Sequence, residues 1–102
     1  MKHVFDYYFE NSGLTKLKKE IFTLGFKFQK IYTEVDHNKD CAEITFIKDK
    51  TIITVGTDIY SNKVKTRLYI NYILYWDKIT VEDIPEIKAK LQQYLEIAKE
   101  EN

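Results

Sequence analysis

The chain has 102 residues, a length typical of one domain with a single hydrophobic core, and residues 1–102 are predicted to form a single domain. Its sixteen basic and sixteen acidic side chains cancel, which argues against a non-specific nucleic-acid binder and against a protein held on an anionic membrane. The single cysteine excludes an internal disulfide, and no segment approaches the roughly 18 consecutive apolar residues of a membrane span. We therefore expect a cytoplasmic protein that makes no contact with a membrane.

The composition also indicates an origin. Tyrosine, lysine and isoleucine are abundant while glycine and proline are scarce, a bias that AT-rich codons produce. The source is therefore expected to be a low-GC bacterium or its phage.

The first quarter of the sequence contains one clear helix and one ambiguous segment. Residues 3–10 have apolar side chains at helical spacing, but the residue types are those favoured in strands, so helix and strand both remain open. After Ser12-Gly13, an apolar residue recurs every three or four positions, which predicts a helix over residues 13–24. Gly25 follows at the position where a helix often ends in a left-handed residue.

Four strands are predicted in the middle of the chain. Residues 26–35 are strand formers, but their alternation changes phase, which indicates a bulge or burial on both sides and leaves the register of this strand open. Residues 36–40 are expected to form a loop. Three further strands are predicted over residues 42–47, 51–60 and 63–76.

The two-residue turns Asp49-Lys50 and Ser61-Asn62 each set a strand register, and the two registers agree. Counting outward from the second turn places Val55 beside Leu68, and counting from the first places Ile44 beside the same Val55. One face of the predicted sheet is therefore apolar. Its members are Ala42, Ile44, Phe46, Ile53, Val55, Ile59, Val64, Leu68 and Ile70.

A stripe of apolar residues predicts a C-terminal helix whose regular part begins between residues 81 and 85. Thr80 and Asp83 have the spacing of a capping box, and Pro85 belongs in the first turn, where its missing N–H costs little. Packing the two predicted helices on the apolar sheet face gives an α+β fold. It is a four-stranded antiparallel meander sheet with an N-terminal and a C-terminal helix on one face, a two-layer sandwich.

The other face of the predicted sheet, which we name the open face, is neither plainly polar nor plainly apolar. Tyrosine and arginine are enriched in binding hot spots, and Ile47 beside Ile52 makes a small apolar patch rimmed by charge. Glu43 and Arg67 flank Gly56, and both side chains are long enough to reach over the glycine and pair. The predicted partner-binding residues are Glu43, Ile47, Ile52, Lys65, Arg67, Tyr69, Asn71 and Tyr75. We therefore expect a small non-enzymatic protein-binding module, of the kind that serves as an inhibitor or as an immunity or anti-defence protein of a phage or mobile element.

A second hypothesis gives the same face to single-stranded nucleic acid. Lys63, Lys65 and Arg67 would lie along phosphates while Tyr69 stacks on a base, so that the strand Lys63–Tyr75 forms the contact. Acidic residues beside these cations and the neutral net charge weaken this hypothesis.

The sequence predicts no catalytic, cofactor or metal site. Residues 36–40 begin like an EF-hand loop, but Cys41 and Ile47 occupy the positions of the required glycine and glutamate. His37 and Cys41 alone establish neither a catalytic dyad nor a zinc site. We therefore expect no enzyme, no cofactor and no metal ion.

The strand predicted over residues 63–76 is longer than its partner, which ends near Tyr72. Residues 73–76 are therefore expected to pair with the N-terminal segment, to form a bulge, or to pair with a second copy of the chain, since an unpaired hydrophobic edge is unfavourable. A homodimer is thus one of the expected partnerships.

Overall fold

A computed structural model describes residues 2–100, in which three α-helices pack against one five-stranded sheet. The helices are Val4–Asn11 (α1), Thr15–Thr23 (α2) and Ile84–Glu100 (α3). The strands are Lys27–Asp36 (β1), Lys39–Lys48 (β2), Thr51–Tyr60 (β3), Val64–Ile70 (β4) and Ile73–Trp76 (β5). All neighbouring strands are antiparallel and follow sequence order. The predicted α+β two-layer fold is confirmed, although the sheet has five strands, not four, and the described chain has three helices, not two.

The two strand registers derived from the turns are confirmed. Val55 lies between Ile44 on β2 and Leu68 on β4, and all three side chains are fully buried. They belong to one continuous apolar cluster with the buried residues of the three helices. The opposite face of the sheet has no helix on it among the described residues.

The change of phase in β1 is a bulge. The pairing of β1 with β2 shifts between Phe28 and Lys30, so Gln29 is the extra residue. Phe28 before the bulge and Ile31 after it both pack against the core. The predicted bulge is confirmed, and it reconciles the two alternation phases.

The ambiguous N-terminal segment is helix α1. The side chain of Asp6 accepts a hydrogen bond from the His3 N–H at 2.7 Å, which caps the first turn. Helical spacing prevails over the strand preference of the residue types because it buries Phe5 and Phe9 on the sheet.

Helix α2 ends at Thr23, and Gly25 is the left-handed residue that follows it, as predicted. The φ angle of Gly25 is +98°, and the Phe26 N–H donates to the Ile21 carbonyl oxygen at 3.3 Å. The Lys48 Nζ atom also donates to the Leu24 carbonyl oxygen at 2.8 Å, so a sheet residue caps this helix end. A side chain at residue 25 would collide with Lys48, since a Cβ atom there would lie 2.7 Å from Nζ.

The prediction of one strand over residues 63–76 is wrong. Asn71 and Tyr72 have positive φ angles of 50° and 69° and form a turn that folds β5 back onto β4. Ile70 and Ile73 become direct partners across this turn. The Asn71 side chain holds the turn against β3, because its Oδ1 atom accepts from the Ile52 N–H at 2.9 Å.

The C-terminal helix begins inside the predicted interval. A 3₁₀ turn at Val81–Asp83 leads into α3 at Ile84. The Asp83 carboxylate accepts from the Thr80 N–H at 2.8 Å, which confirms the capping role read from the spacing of these two residues.

Candidate functional site

The open face consists of alternate side chains from all five strands, on the side away from the helices. Successive residues of a strand point alternately to the core and to the open face. The register of the sheet therefore decides which side chains the open face carries. Its members are Lys30, Tyr32, Glu34, Cys41, Glu43, Thr45, Ile47, Ile52, Thr54, Gly56, Asp58, Lys65, Arg67, Tyr69 and Leu74.

An ion pair between Arg67 and Asp58 lies at the centre of the open face. The Nη1 atom of Arg67 donates to Oδ2 of Asp58 at 2.7 Å, and the two side chains are only 19% and 13% exposed. The guanidinium crosses Gly56, where a Cβ atom would lie 2.9 Å from Nη2. The pair of Glu43 with Arg67 does not form, because the guanidinium turns to the Asp58 carboxylate, two residues from the glycine along β3, and not to Glu43 on β2.

The pair also changes the acidity of Asp58. Desolvation by itself raises the pKa of this carboxyl, but the hydrogen bonds from Arg67 and Cys41 outweigh it and hold the pKa below its ordinary value. Asp58 is thus charged at neutral pH and the pair is a fixed element of the face.

Glu43 separates two shallow depressions and lines both of them. Its side chain is exposed, and its carboxylate has no hydrogen-bond or ion-pair partner within residues 2–100. One depression has a volume of about 220 Å³ and is lined by Tyr32, Glu34, Cys41, Ala42, Glu43, Asp58 and Arg67. The other has a volume of about 280 Å³ and is lined by Lys30, Glu43, Thr45, Thr54, Tyr69 and Tyr72.

Tyr32 and Tyr72 are prominent on these depressions and were not predicted as site residues. They are 62% and 73% exposed. Tyr32 pairs with Glu43 across the β1–β2 ladder, and a bulge placed at Gln29 would have revealed its face. Tyr72 would have been found only by recognising Asn71 as the first residue of a turn.

The structure brings most of the predicted site residues together. Glu43, Lys65, Arg67 and Tyr69 lie on the open face, and Ile47 and Ile52 are direct, half-buried partners at one end of it. Asn71 lies at the margin of the face, in the turn.

The placement of Tyr75 on the open face is wrong. Its hydroxyl group shares a hydrogen bond with that of Tyr94 on α3, and Lys90 of the same helix lies over its ring, 5.4 Å from the centroid. Alternation was counted along a straight strand, but the turn at 71–72 reverses the chain and the pairing of β5 shifts again at Tyr75. Both changes move this side chain to the helix side.

The cations proposed for nucleic-acid contact already have neighbours. Lys65 is 3.5 Å from an Asp77 carboxylate oxygen, in an exposed pair. The Lys63 ammonium lies over the Tyr60 ring, 5.0 Å from its centroid. Arg67 is bound to Asp58, and Tyr69 lines the larger of the two depressions.

The expected loop over residues 36–40 is a tight hairpin. Strands β1 and β2 continue to Asp36 and Lys39, which leaves His37-Asn38 as the turn. Cys41 lines the smaller depression, and burial together with the neighbouring Asp58 raises the pKa of its thiol. Within residues 2–100, no three histidine, cysteine or acidic side chains come together as a metal-binding group.

The chain matches no protein-family model, no curated protein and no solved structure. Among the helices of residues 2–100, none combines the length and the apolar character needed to cross a membrane. What the protein does must therefore be inferred from its own surface.

Proposed function

We propose that this chain is a small non-enzymatic protein-binding module that contacts its partner through the open face. The observation that carries the proposal is the set of exposed tyrosines, Tyr32 and Tyr72, placed around the unpaired carboxylate of Glu43 on a sheet face without a helix. Tyrosine supplies a large contact area with few rotatable bonds, so it loses little entropy on binding.

The rigidity of the platform supports the same proposal. The side chains at the centre of the open face stand on β2, β3 and β4, whose other side packs into the core, and the Arg67–Asp58 pair fixes the centre. A surface that is ordered before binding pays less conformational entropy when a partner arrives. The depressions on either side of Glu43 offer places for side chains of the partner.

We further propose a biological setting. A small protein without a predicted catalytic set fits an inhibitor or an immunity or anti-defence protein, acting in the cytoplasm and encoded by a phage, a mobile element or a low-GC bacterium. The support is the size of the chain, its single cysteine and its AT-type composition.

The binding proposal is tested with two matched tyrosine variants. Tyr32→Ala removes an exposed ring from the open face, and Tyr7→Ala removes a 48% exposed ring from α1 on the opposite layer. Proteins captured from the source organism by the wild-type chain are identified, and their affinities are then measured for each variant. We expect Tyr32→Ala to weaken binding by about 10- to 30-fold, the loss typical of a hot spot, and Tyr7→Ala to leave it unchanged.

Thermal unfolding of both variants controls for stability, because each position is exposed. The affinity for the partner is also measured for Glu43→Gln and Tyr72→Ala. If all three open-face variants bind as tightly as the wild type, the open face is excluded as the contact surface. Loss of binding in Tyr7→Ala alone would assign the partner to the helix layer.

A second candidate function is binding of single-stranded nucleic acid. It is favoured by Tyr69, which follows the cations Lys65 and Arg67 at two-residue spacing on β4, so that all three side chains lie on the open face, and which lines an open depression. If it is correct, a labelled single-stranded RNA or DNA shifts in a gel at low salt, the shift weakens steeply as salt rises, and Tyr69→Ala reduces it. Absence of a shift at low salt would contradict this candidate.

A further inference from the structure

The two edges of the sheet differ in chemistry. The strand β1 at one edge carries charged residues along its length, among them Lys27, Lys30 and Glu34. The strand β5 at the other edge reads Ile-Leu-Tyr-Trp and has no charged residue, although Ile73 and Leu74 are 58% and 44% exposed. Charges on an edge strand hinder pairing with another chain, so only the β1 edge has this protection.

The β5 edge also offers unused backbone groups. β5 is the last strand of the sheet and pairs with β4 on one side only. Its outer N–H and C=O groups therefore face no other strand within residues 2–100. An added antiparallel strand would pair with these groups and would cover the exposed apolar side chains at the same time.

We propose that a second copy of the chain supplies this strand. β5 then pairs antiparallel with its own copy across a two-fold axis, and the five strands of each copy join into one continuous sheet. Such an interface is isologous, which means that each contact occurs twice with the roles of the copies exchanged. Ile73 and Leu74 of one copy meet the same apolar run of the other.

The helix beside β5 fits the same symmetry. A depression of about 480 Å³ lies between β5 and α3, and its lining includes Glu86, Ala89, Lys90 and Gln93 together with Tyr75 and Trp76. Glu86 is exposed, has no ion-pair partner within residues 2–100, and lies one helical turn before Lys90. Lys90 is held at this surface by the Tyr75 ring.

This arrangement of charges favours a second copy over an unrelated peptide. A two-fold axis through the β5 pair sets the two α3 helices antiparallel, so Glu86 of one copy lies on the side of Lys90 of the other. The same holds with the copies exchanged. An acid and a base placed one turn apart on α3 are thus complementary to themselves.

The first test measures the molar mass of the chain in solution by size-exclusion chromatography with light scattering over a wide concentration range. We expect the wild type to show twice the mass of one chain. Ile73→Lys and Leu74→Lys place a charge on the β5 edge and should reduce the mass to that of one chain. Val35→Lys, a change at a 78% exposed position of the β1 edge, is the matched control and should stay dimeric.

The second test exchanges the two charges on α3. Glu86→Lys and Lys90→Glu each bring like charges together and should raise the dimer dissociation constant by about tenfold or more, whereas the double exchange should restore it. Circular dichroism of each variant confirms that it is folded.

Three results would overturn the proposal: a wild type with the mass of one chain at every concentration, a dimer unaffected by Ile73→Lys, or a double exchange that does not recover. None of these experiments contains a partner protein, so they are independent of the binding proposal for the open face.

Discussion

Arg67 lies flat across β3 because Gly56 has no side chain to lift it. The guanidinium and the Asp58 carboxylate are both largely removed from water, so each depends on the other for its hydrogen bond. Removing one partner of such a pair leaves the other charge poorly solvated, which costs more than the pair itself contributes. Arg67 is thus a structural residue at the centre of the surface on which Tyr32, Glu43 and Tyr72 are the proposed contact residues.

Arg67→Ala is expected to lower the free energy of unfolding at pH 7 by about 1–3 kcal/mol. Lys65→Ala is the control, since its pair with Asp77 is exposed and such pairs contribute about 0–1 kcal/mol. Urea unfolding of both variants at pH 7 measures the difference. Equal stability of the two variants would contradict the role assigned to Arg67.

The effect of Arg67→Ala is also expected to depend on pH. The pKa of Asp58 is lowered in the folded protein, so its pair stabilises the fold above the ordinary carboxyl pKa of 3.8 and loses this effect as the pH falls through the lowered value. The stability difference between the wild type and Arg67→Ala should therefore shrink in acid. Urea unfolding repeated well below pH 3.8 measures this change, and a difference that stays constant would contradict it.

The β4–β5 hairpin has an unusual turn. Both turn residues have positive φ angles, as in a type I′ turn, but Tyr72 occupies the position where glycine is strongly preferred. A left-handed conformation costs a residue with a side chain about 1–2 kcal/mol. The left-handed conformation of Tyr72 destabilises the hairpin by this amount. It also places the exposed Tyr72 ring at the margin of the open face.

Tyr72→Gly should be more stable than Tyr72→Ala by about 1 kcal/mol, although both variants lack the ring. Alanine keeps the strained conformation, whereas glycine adopts it freely. Chemical unfolding of the two variants, compared at the midpoint, measures this difference. A more stable alanine variant would mean that the backbone at residue 72 is not strained.

Local turn chemistry explains which elements the sequence predicted. Asp49-Lys50 and Ser61-Asn62 were recognised because they interrupt alternating runs, and the registers that follow from them are confirmed. Asn71-Tyr72 was missed because a tyrosine within an aromatic run gives no turn signal. The segment of α1 stayed open because its residue types favour strands, and only burial against the sheet decides for the helix.

The sequence predicted the site residues on those strands whose register it determined. Glu43, Arg67 and Tyr69 follow from counting along β2 and β4, which the two recognised turns determine. Tyr32 depends on a bulge whose position the sequence did not give, and Tyr75 depends on the unrecognised turn. The diagonal reach of Arg67 to Asp58 is a property of side-chain conformation, which strand pairing alone does not determine.

At the scale of the whole molecule, the helix layer and the sheet differ in what they bury and what they expose. The helix layer buries one side of the sheet in a single cluster of apolar residues, while the other side and the β5 edge remain exposed. The open face and the proposed β5 interface share Leu74 at one margin and otherwise consist of different residues. A dimer formed at β5 presents two open faces on the same side of one sheet, which would strengthen binding to a partner that is itself repeated.

The strictly sequential order of the strands has a kinetic consequence. Every strand pairs with its neighbour in the chain, and the connecting turns are short. Closing a short loop costs little entropy, and a sheet built from such hairpins has a low contact order for a β-rich protein. The sheet can therefore assemble one hairpin at a time, and the chain should fold faster than a sandwich of similar size whose strands pair across distant parts of the sequence. Rapid formation of the β4–β5 hairpin also shortens the time during which both edges of β5 are unpaired. During that time the apolar segment Ile73–Trp76 can pair with a wrong strand.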